Sequence, residues 1–139
     1  MQVYQANWSW GEVTDKWLQS LCIGQTLNFP CGMSQVGNIR ADIDPTVKPD
    51  IIADLREPQK HFKPLTFDTV LCDPPYSMYN KFLWITKLSE LTRKRIIMAT
   101  PLVSLYLGKK NWKKTIYIVD QGKKFFRVFQ VFDRLNGQL

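Results

Sequence analysis

A chain of 139 residues with 45% hydrophobic and 13% aromatic content excludes intrinsic disorder and can bury roughly two-thirds of its unfolded surface around one core. Its apolar runs fall short of the ~20 residues of a membrane span and its N-terminus lacks the basic-then-apolar layout of a secretory leader, so one cytoplasmic domain over residues 1–139 is expected. The formal charge of +7 favours a polyanionic partner, of which nucleic acid is the commonest.

Residues 14–21 predict a first helix with Trp17, Leu18 and Leu21 on one face. Short apolar runs, bounded by turn or polar residues, predict strands at 26–29, 39–43, 50–53 and 67–72. A second helix is expected over 77–92, where Phe82, Ile85, Leu88 and Leu91 recur at near-helical spacing. A strand at 95–99 follows, then a short third helix over 102–107 ending at Gly108, then a basic loop over 109–114. Strands at 115–119 and 125–132, joined closely through Gln121 and Gly122, predict a final antiparallel hairpin. Strands alternating with helical or loop crossovers indicate an α/β fold with a mostly parallel sheet. No repeat or linker divides the chain, which reads as a core over 26–133 with an N-terminal extension over 1–25.

Candidate chemistry collects after the first four strands. They end in Pro30-Cys31-Gly32, near Asp42 and Asp44, at Asp54, and at Asp73. In a parallel sheet all of these lie along the carboxyl edge, where open α/β sheets bind ligands. An acid there can accept from a ribose diol or an adenine amino group, and a glycine after the first strand admits a ligand close to the backbone. Each acid alone could equally cap a turn or helix. The three cysteines, Cys22, Cys31 and Cys72, form no CxxC pair, and His61 stands alone, so reduced thiols and no metal site are expected.

Asp73-Pro74-Pro75-Tyr76 is the most specific feature. Two prolines after a buried strand fix φ and remove two backbone donors, leaving carbonyls, a carboxylate and an aromatic ring on a rigid turn. An exocyclic amine is a poor nucleophile because its lone pair is delocalised into the base. Accepting both its N–H bonds, at the Asp73 carboxylate and the Pro74 carbonyl, frees that lone pair. Tyr76 can stack on the face of an extruded base.

These four residues resemble the (Asp/Asn/Ser)-Pro-Pro-(Tyr/Phe) motif of class I amino-methyltransferases, the family of the DNA adenine-N6 and cytosine-N4 enzymes and some RNA base methyltransferases. Residues 27–32, Leu-Asn-Phe-Pro-Cys-Gly, are similar to that family's first cofactor motif. The resemblance implies a Rossmann-like fold, S-adenosylmethionine as cofactor and methyl transfer to an amino group, most closely N6 of adenine in DNA. It implies Asp73, Pro74, Pro75 and Tyr76 as the catalytic set. It implies Pro30, Cys31, Gly32, Asp42, Asp54 and Asp73 around the cofactor, with Asp42 on the ribose and Asp54 near the adenine.

The chain departs from that family in two ways. Ten positions from Gly32 to Asp42 are too few for a strand-helix-strand crossover, so a loop over 33–38 is expected in place of the first crossover helix. There is also no separate recognition region. Lys109, Lys110, Trp112, Lys113 and Lys114 are then the candidate nucleic-acid contacts, since basic residues interleaved with an aromatic can hold phosphates and stack a base. Arg93-Lys94-Arg95, Trp8 and Trp10 are weaker candidates. The pair Phe125-Phe126 with Phe129 and Phe132 suggests a buried late strand or a homodimer surface, and a partner subunit could supply recognition. An RNA substrate, with adenine N6 or guanine N2 as target, stays open, as does a non-catalytic nucleic-acid-binding subunit.

Overall fold

The structure is a computed structural model in which residues 10–74, 83–101, 104–108, 111–120 and 126–135 are described. The elements run α1 (Glu12–Leu21), β1 (Thr26–Asn28), β2 (Ile39–Asp42), β3 (Ile51–Ile52), β4 (Phe67–Cys72), α2 (Leu83–Leu91), β5 (Thr92–Thr100), β6 (Trp112–Asp120) and β7 (Phe126–Arg134). The strands form one seven-stranded sheet in the order β3-β2-β1-β4-β5-β7-β6. Pairing is parallel from β3 to β5. It becomes antiparallel where β7 enters between β5 and β6. This is the expected α/β Rossmann-like sheet, mostly parallel with a C-terminal antiparallel hairpin.

Strand alternation sorts side chains onto two faces. Val70, Cys72, Ile96, Met98 and Phe132 pack with Ile85, Leu88 and Leu91 of α2. Leu71, Ile97, Ala99, Phe129 and Val131 pack with Leu18 of α1 and with Trp10, and Trp17 and Leu21 close that layer. Each such fully buried aliphatic side chain contributes about 1.5–3 kcal/mol. α1 starts at Gly11 without a side-chain cap, but Glu12 and Asp15 in its first turn favour the positive end of the helix dipole.

The crossover from β1 to β2 contains no helix, as its length requires. Buried polar groups replace it. Asn28 donates through Nδ2 to Ser34 Oγ and to the Val36 carbonyl, both at 3.1 Å. The Thr26 N–H donates to Asn38 Oδ1 at 2.8 Å, and the Asn38 N–H returns a bond to the Thr26 carbonyl at 2.9 Å. Gly37 has φ +93°, which strains any L side chain, and a Cβ there would sit a tight 3.2 Å from the Thr26 carbonyl oxygen. Val36 is buried in the α1 layer, where a crossover helix would otherwise supply apolar contacts.

Three expectations are corrected. Residues 104–108 are not helical. Leu105 and Leu107 both enter the core, which an extended segment achieves at i, i+2 and a helix does not. The Leu105 N–H donates to Gln130 Oε1 at 3.1 Å. The expected basic loop over 109–114 ends early: β6 pairs with β7 from Trp112↔Arg134 to Asp120↔Phe126, so Trp112, Lys113 and Lys114 are strand residues. Cross-strand pairing outweighs the local lysine-rich composition. Finally, β5 begins at Thr92, directly after α2, so Thr92 belongs to the sheet rather than to the helix expected over 77–92, whose residues 77–82 lie outside the described ones.

Candidate active site

Because β1, β2, β3 and β4 are parallel, the residues that follow them share one edge of the sheet. After β1, Gly32 adopts φ +52°, and its N–H points at β2, donating to Asp42 Oδ2 at 2.9 Å. The other oxygen of Asp42 accepts from the Asp44 N–H at 3.0 Å. Asp42 is therefore fully buried, both oxygens committed to the backbone of the two loops it joins. The more accessible acid is Asp44, which caps the 3-10 turn Pro45–Val47 by accepting from the Thr46 N–H at 2.9 Å and the Thr46 hydroxyl at 2.7 Å. Those bonds hold its carboxyl below the usual range.

Arg40, buried on β2, fixes the same two loops. Its Nε donates to the Ser34 carbonyl at 2.7 Å, Nη1 to Lys48 at 2.9 Å, and Nη2 to Gly32 and Val47 at 2.9 and 3.2 Å. Cys31 is buried beside it, its thiol pushed up to about 11, chiefly by burial. Pro30 is buried as well. Asp54, after β3, forms a two-pronged pair with Arg56, at 2.6 Å to Nη2 and 3.0 Å to Nε. The Arg56 hydrogen bond is the main reason its carboxyl is held low.

Asp73 follows β4. Its side chain is 15% exposed, and Oδ2 accepts from Arg127 Nη2 at 2.9 Å. Burial pushes its carboxyl up to about 6, against the opposing charge of Arg127 and a smaller favourable contribution from the Trp10 indole. Pro74 is buried behind it. Pro75 and Tyr76 lie outside the described residues, as do Lys109, Lys110, Trp8 and Phe125.

The structure thus gathers Gly32, Asp42 and Asp44 into one bonded cluster and gives Asp54 and Asp73 separate arginine partners. Sequence reading missed both Arg40 and Arg127. The available signals were a charged residue inside the short buried strand Ile39–Asp42, and a charge at the start of β7, which antiparallel pairing brings to the carboxyl edge.

The basic segment is differently placed. Trp112 is 7% exposed and packs in the α2-side core, with the Arg134 guanidinium 4.2 Å from its ring centroid. It cannot also stack a base, which corrects that expectation. Lys114 Nζ donates to Ser104 Oγ at 2.7 Å and the Leu105 carbonyl at 3.1 Å, while Lys113 is exposed. Trp112 pairs with Arg134, and the strand from Arg127 to Arg134 spans about 24 Å. Lys113 and Lys114 therefore lie toward the far edge of the sheet from Asp73. Arg93 and Lys94 pair with Asp68, and Arg95 with Asp133 at 2.6 Å. Trp112→Ala is expected to cost about 3 kcal/mol of stability in chemical denaturation. An unchanged denaturation midpoint would take Trp112 out of the core.

Among the described residues, no helix is long and apolar enough to cross a membrane. Phe129 and Phe132 are buried, as a late core strand requires, whereas Phe126 is 69% exposed.

The strand order, with an antiparallel strand inserted next to the last, defines a Rossmann-like α/β fold whose open edge carries the acids. No protein-family profile matches the chain, and no curated protein matches it. Solved structures do. HI0767 of Haemophilus influenzae, a proposed methylase, matches with TM-score 0.56 and 14% identity over 89% of this chain and 95% of that one. SMU.1697c of Streptococcus mutans, a proposed methyltransferase in complex with SAH, matches with TM-score 0.55 and 11% identity over 89% and 96%. The proposed methyltransferase yhhF of Escherichia coli matches with TM-score 0.52 and 13% identity over 88% and 82%. At these identities the likeness is one of fold.

Proposed function

We propose that this chain is an S-adenosylmethionine-dependent methyltransferase acting on the exocyclic amino group of a nucleic-acid base, N6 of adenine in DNA. One observation carries the reading: Asp73-Pro74 follows the central parallel strand β4 at the ligand-binding edge, with the carboxyl mostly buried. The cofactor assignment draws support from SMU.1697c, a protein of the same fold in complex with SAH, which is what the cofactor becomes on losing its methyl. The net charge of +7 suits a polyanionic substrate.

The residues at the edge fit a nucleoside-bearing cofactor. Gly32, with its positive φ and no side chain, lets a ligand approach the turn after β1. Asp44 and Asp54 offer accessible carboxylates after β2 and β3. Asp42 is closed off, so in this proposal Asp44 takes the ribose diol and Asp42 holds the loop that presents it. When bound, the cofactor supplies an electrophilic methyl on a positively charged sulfur. Asp73 and the Pro74 carbonyl accept the two N–H bonds of the target amine and orient its lone pair. As the nitrogen gains its new bond it must lose a proton, and in this proposal the Asp73 carboxylate takes it.

This role requires Asp73 ionised. Its carboxyl titrates near 6, so methyl transfer is expected to fall about tenfold per pH unit below that value and to level off above it. The test is transfer of labelled methyl to separate pools of duplex DNA, single-stranded DNA and RNA across pH 5–8, with nucleoside analysis. Label in N6-methyladenine from DNA supports the proposal. Label confined to RNA moves the substrate to RNA. No label in any pool, without measurable cofactor binding, favours the non-catalytic nucleic-acid-binding subunit.

A further inference from the structure

Arg127 reaches Asp73 from a strand 54 residues later in the chain, and the topology places it there. β7 runs antiparallel to β5, with Val128 opposite Thr100, so Arg127 stands just beyond the last β5–β7 pair at the carboxyl edge. Alternation along β7 puts it on the same face as Phe129 and Val131, the face that also buries Trp10. The Arg127 side chain is 26% exposed and that of Asp73 15%, so the pair is less screened by water than a fully exposed one.

The pair has a chemical consequence. Among the described residues, the charge acting on Asp73 is that of Arg127. Trp10 offers an indole dipole, and Cys72, the neighbour on β4, is fully buried with its thiol pushed well above the ordinary range, hence protonated. Remove the guanidinium and burial pushes the Asp73 carboxyl further up, against the Trp10 indole only, so a larger share of it is protonated at a given pH. A protonated carboxyl presents a donor where an amine N–H needs an acceptor, and it cannot take the proton the nitrogen must lose. The guanidinium also uses Oδ2, which distinguishes the two oxygens.

Resting on the methyl-transfer reading, we propose that Arg127 is a positioning residue for the reaction: it binds Oδ2 of Asp73, so that the target amine meets Oδ1 of an anchored carboxylate. Arg127 itself touches neither substrate nor cofactor in this scheme.

The test uses the full chain and two readouts. The Asp73 carboxyl is titrated by carbon NMR, its signal assigned with Asp73→Asn, in the wild type, Arg127→Gln and Arg127→Lys. Methyl transfer is followed across the same pH range. In Arg127→Gln the midpoint should rise by about one unit or more. The acid limb of kcat should move with it, activity should recover toward alkaline pH, and KM for the cofactor should hold. Arg127→Lys keeps the charge, so its midpoint should stay near that of the wild type, and it carries the test if the glutamine variant does not fold. An unmoved midpoint in a folded Arg127→Gln, a lysine midpoint displaced like that expected for glutamine, or a kcat loss independent of pH would overturn the proposal. A wild type that transfers no methyl removes the underlying reading and with it the role of Arg127 in that reaction. In that case the titration still separates the failure of the reading from the failure of the charge argument.

Discussion

Asp73→Asn should lower the proposed methyl transfer by at least about a hundredfold while changing affinity for the proposed cofactor little. The substitution is nearly isosteric and keeps one acceptor oxygen, but it removes the charge and the capacity to take a proton. Both matter most when the nitrogen becomes cationic, so the loss belongs to the transition state, and kcat should fall in step with kcat/KM. The variant also leaves the Arg127 side chain, three-quarters covered, without its carboxylate, so some stability is lost as well. Thermal melting alongside initial rates separates that effect from catalysis. Undiminished activity would remove Asp73 from the mechanism. A cofactor affinity that falls as steeply as the rate would make Asp73 a binding group, its carboxylate directed at the cofactor instead of the amine.

Asp73 was legible in the sequence because its signal is local. A buried strand followed by Asp-Pro-Pro-Tyr defines a position at the carboxyl edge of a parallel sheet. The short spacing from Gly32 to Asp42 was equally plain, since chain length alone forbids a crossover helix. What escaped was pairing across large separations. Arg127 meets Asp73 only because β7 inserts between β5 and β6 and reverses direction, and the composition of neither segment announces that order. The same holds for Trp112. Flanked by lysines it reads as an exposed stacking residue, but the nine-residue ladder with β7 turns it into the core beneath Arg134. Asp42 was located correctly at the end of β2, yet its burial under two loop N–H groups is set by a loop whose path the sequence does not specify. Gly32, Asp42, Asp54 and Asp73 thus follow the strands that the sequence predicted, while the partners that hold each of them come from the folded chain.

Arg40 carries the largest structural consequence of the missing helix. Its guanidinium serves four carbonyls, those of Gly32 and Ser34 in the first loop and of Val47 and Lys48 in the second. A crossover helix would satisfy its own backbone; a loop needs a partner for each buried acceptor. The planar fork of arginine meets several acceptors at once. Arg40→Met fills similar space and strands those carbonyls. The expected cost is about 3–5 kcal/mol, since buried carbonyls lose their bonds to a charged donor, or a fall in Tm of roughly 15 °C for a domain of this size. Arg40→Lys should be intermediate, since one ammonium reaches fewer of the four. Because the same loops carry Gly32 and Asp44, cofactor affinity measured below the melting transition should weaken in both variants. A methionine variant that melts within a degree or two of the wild type would show that the loops keep their path without the guanidinium, and that the turn after β1 is held by Asn28 and Asp42 alone.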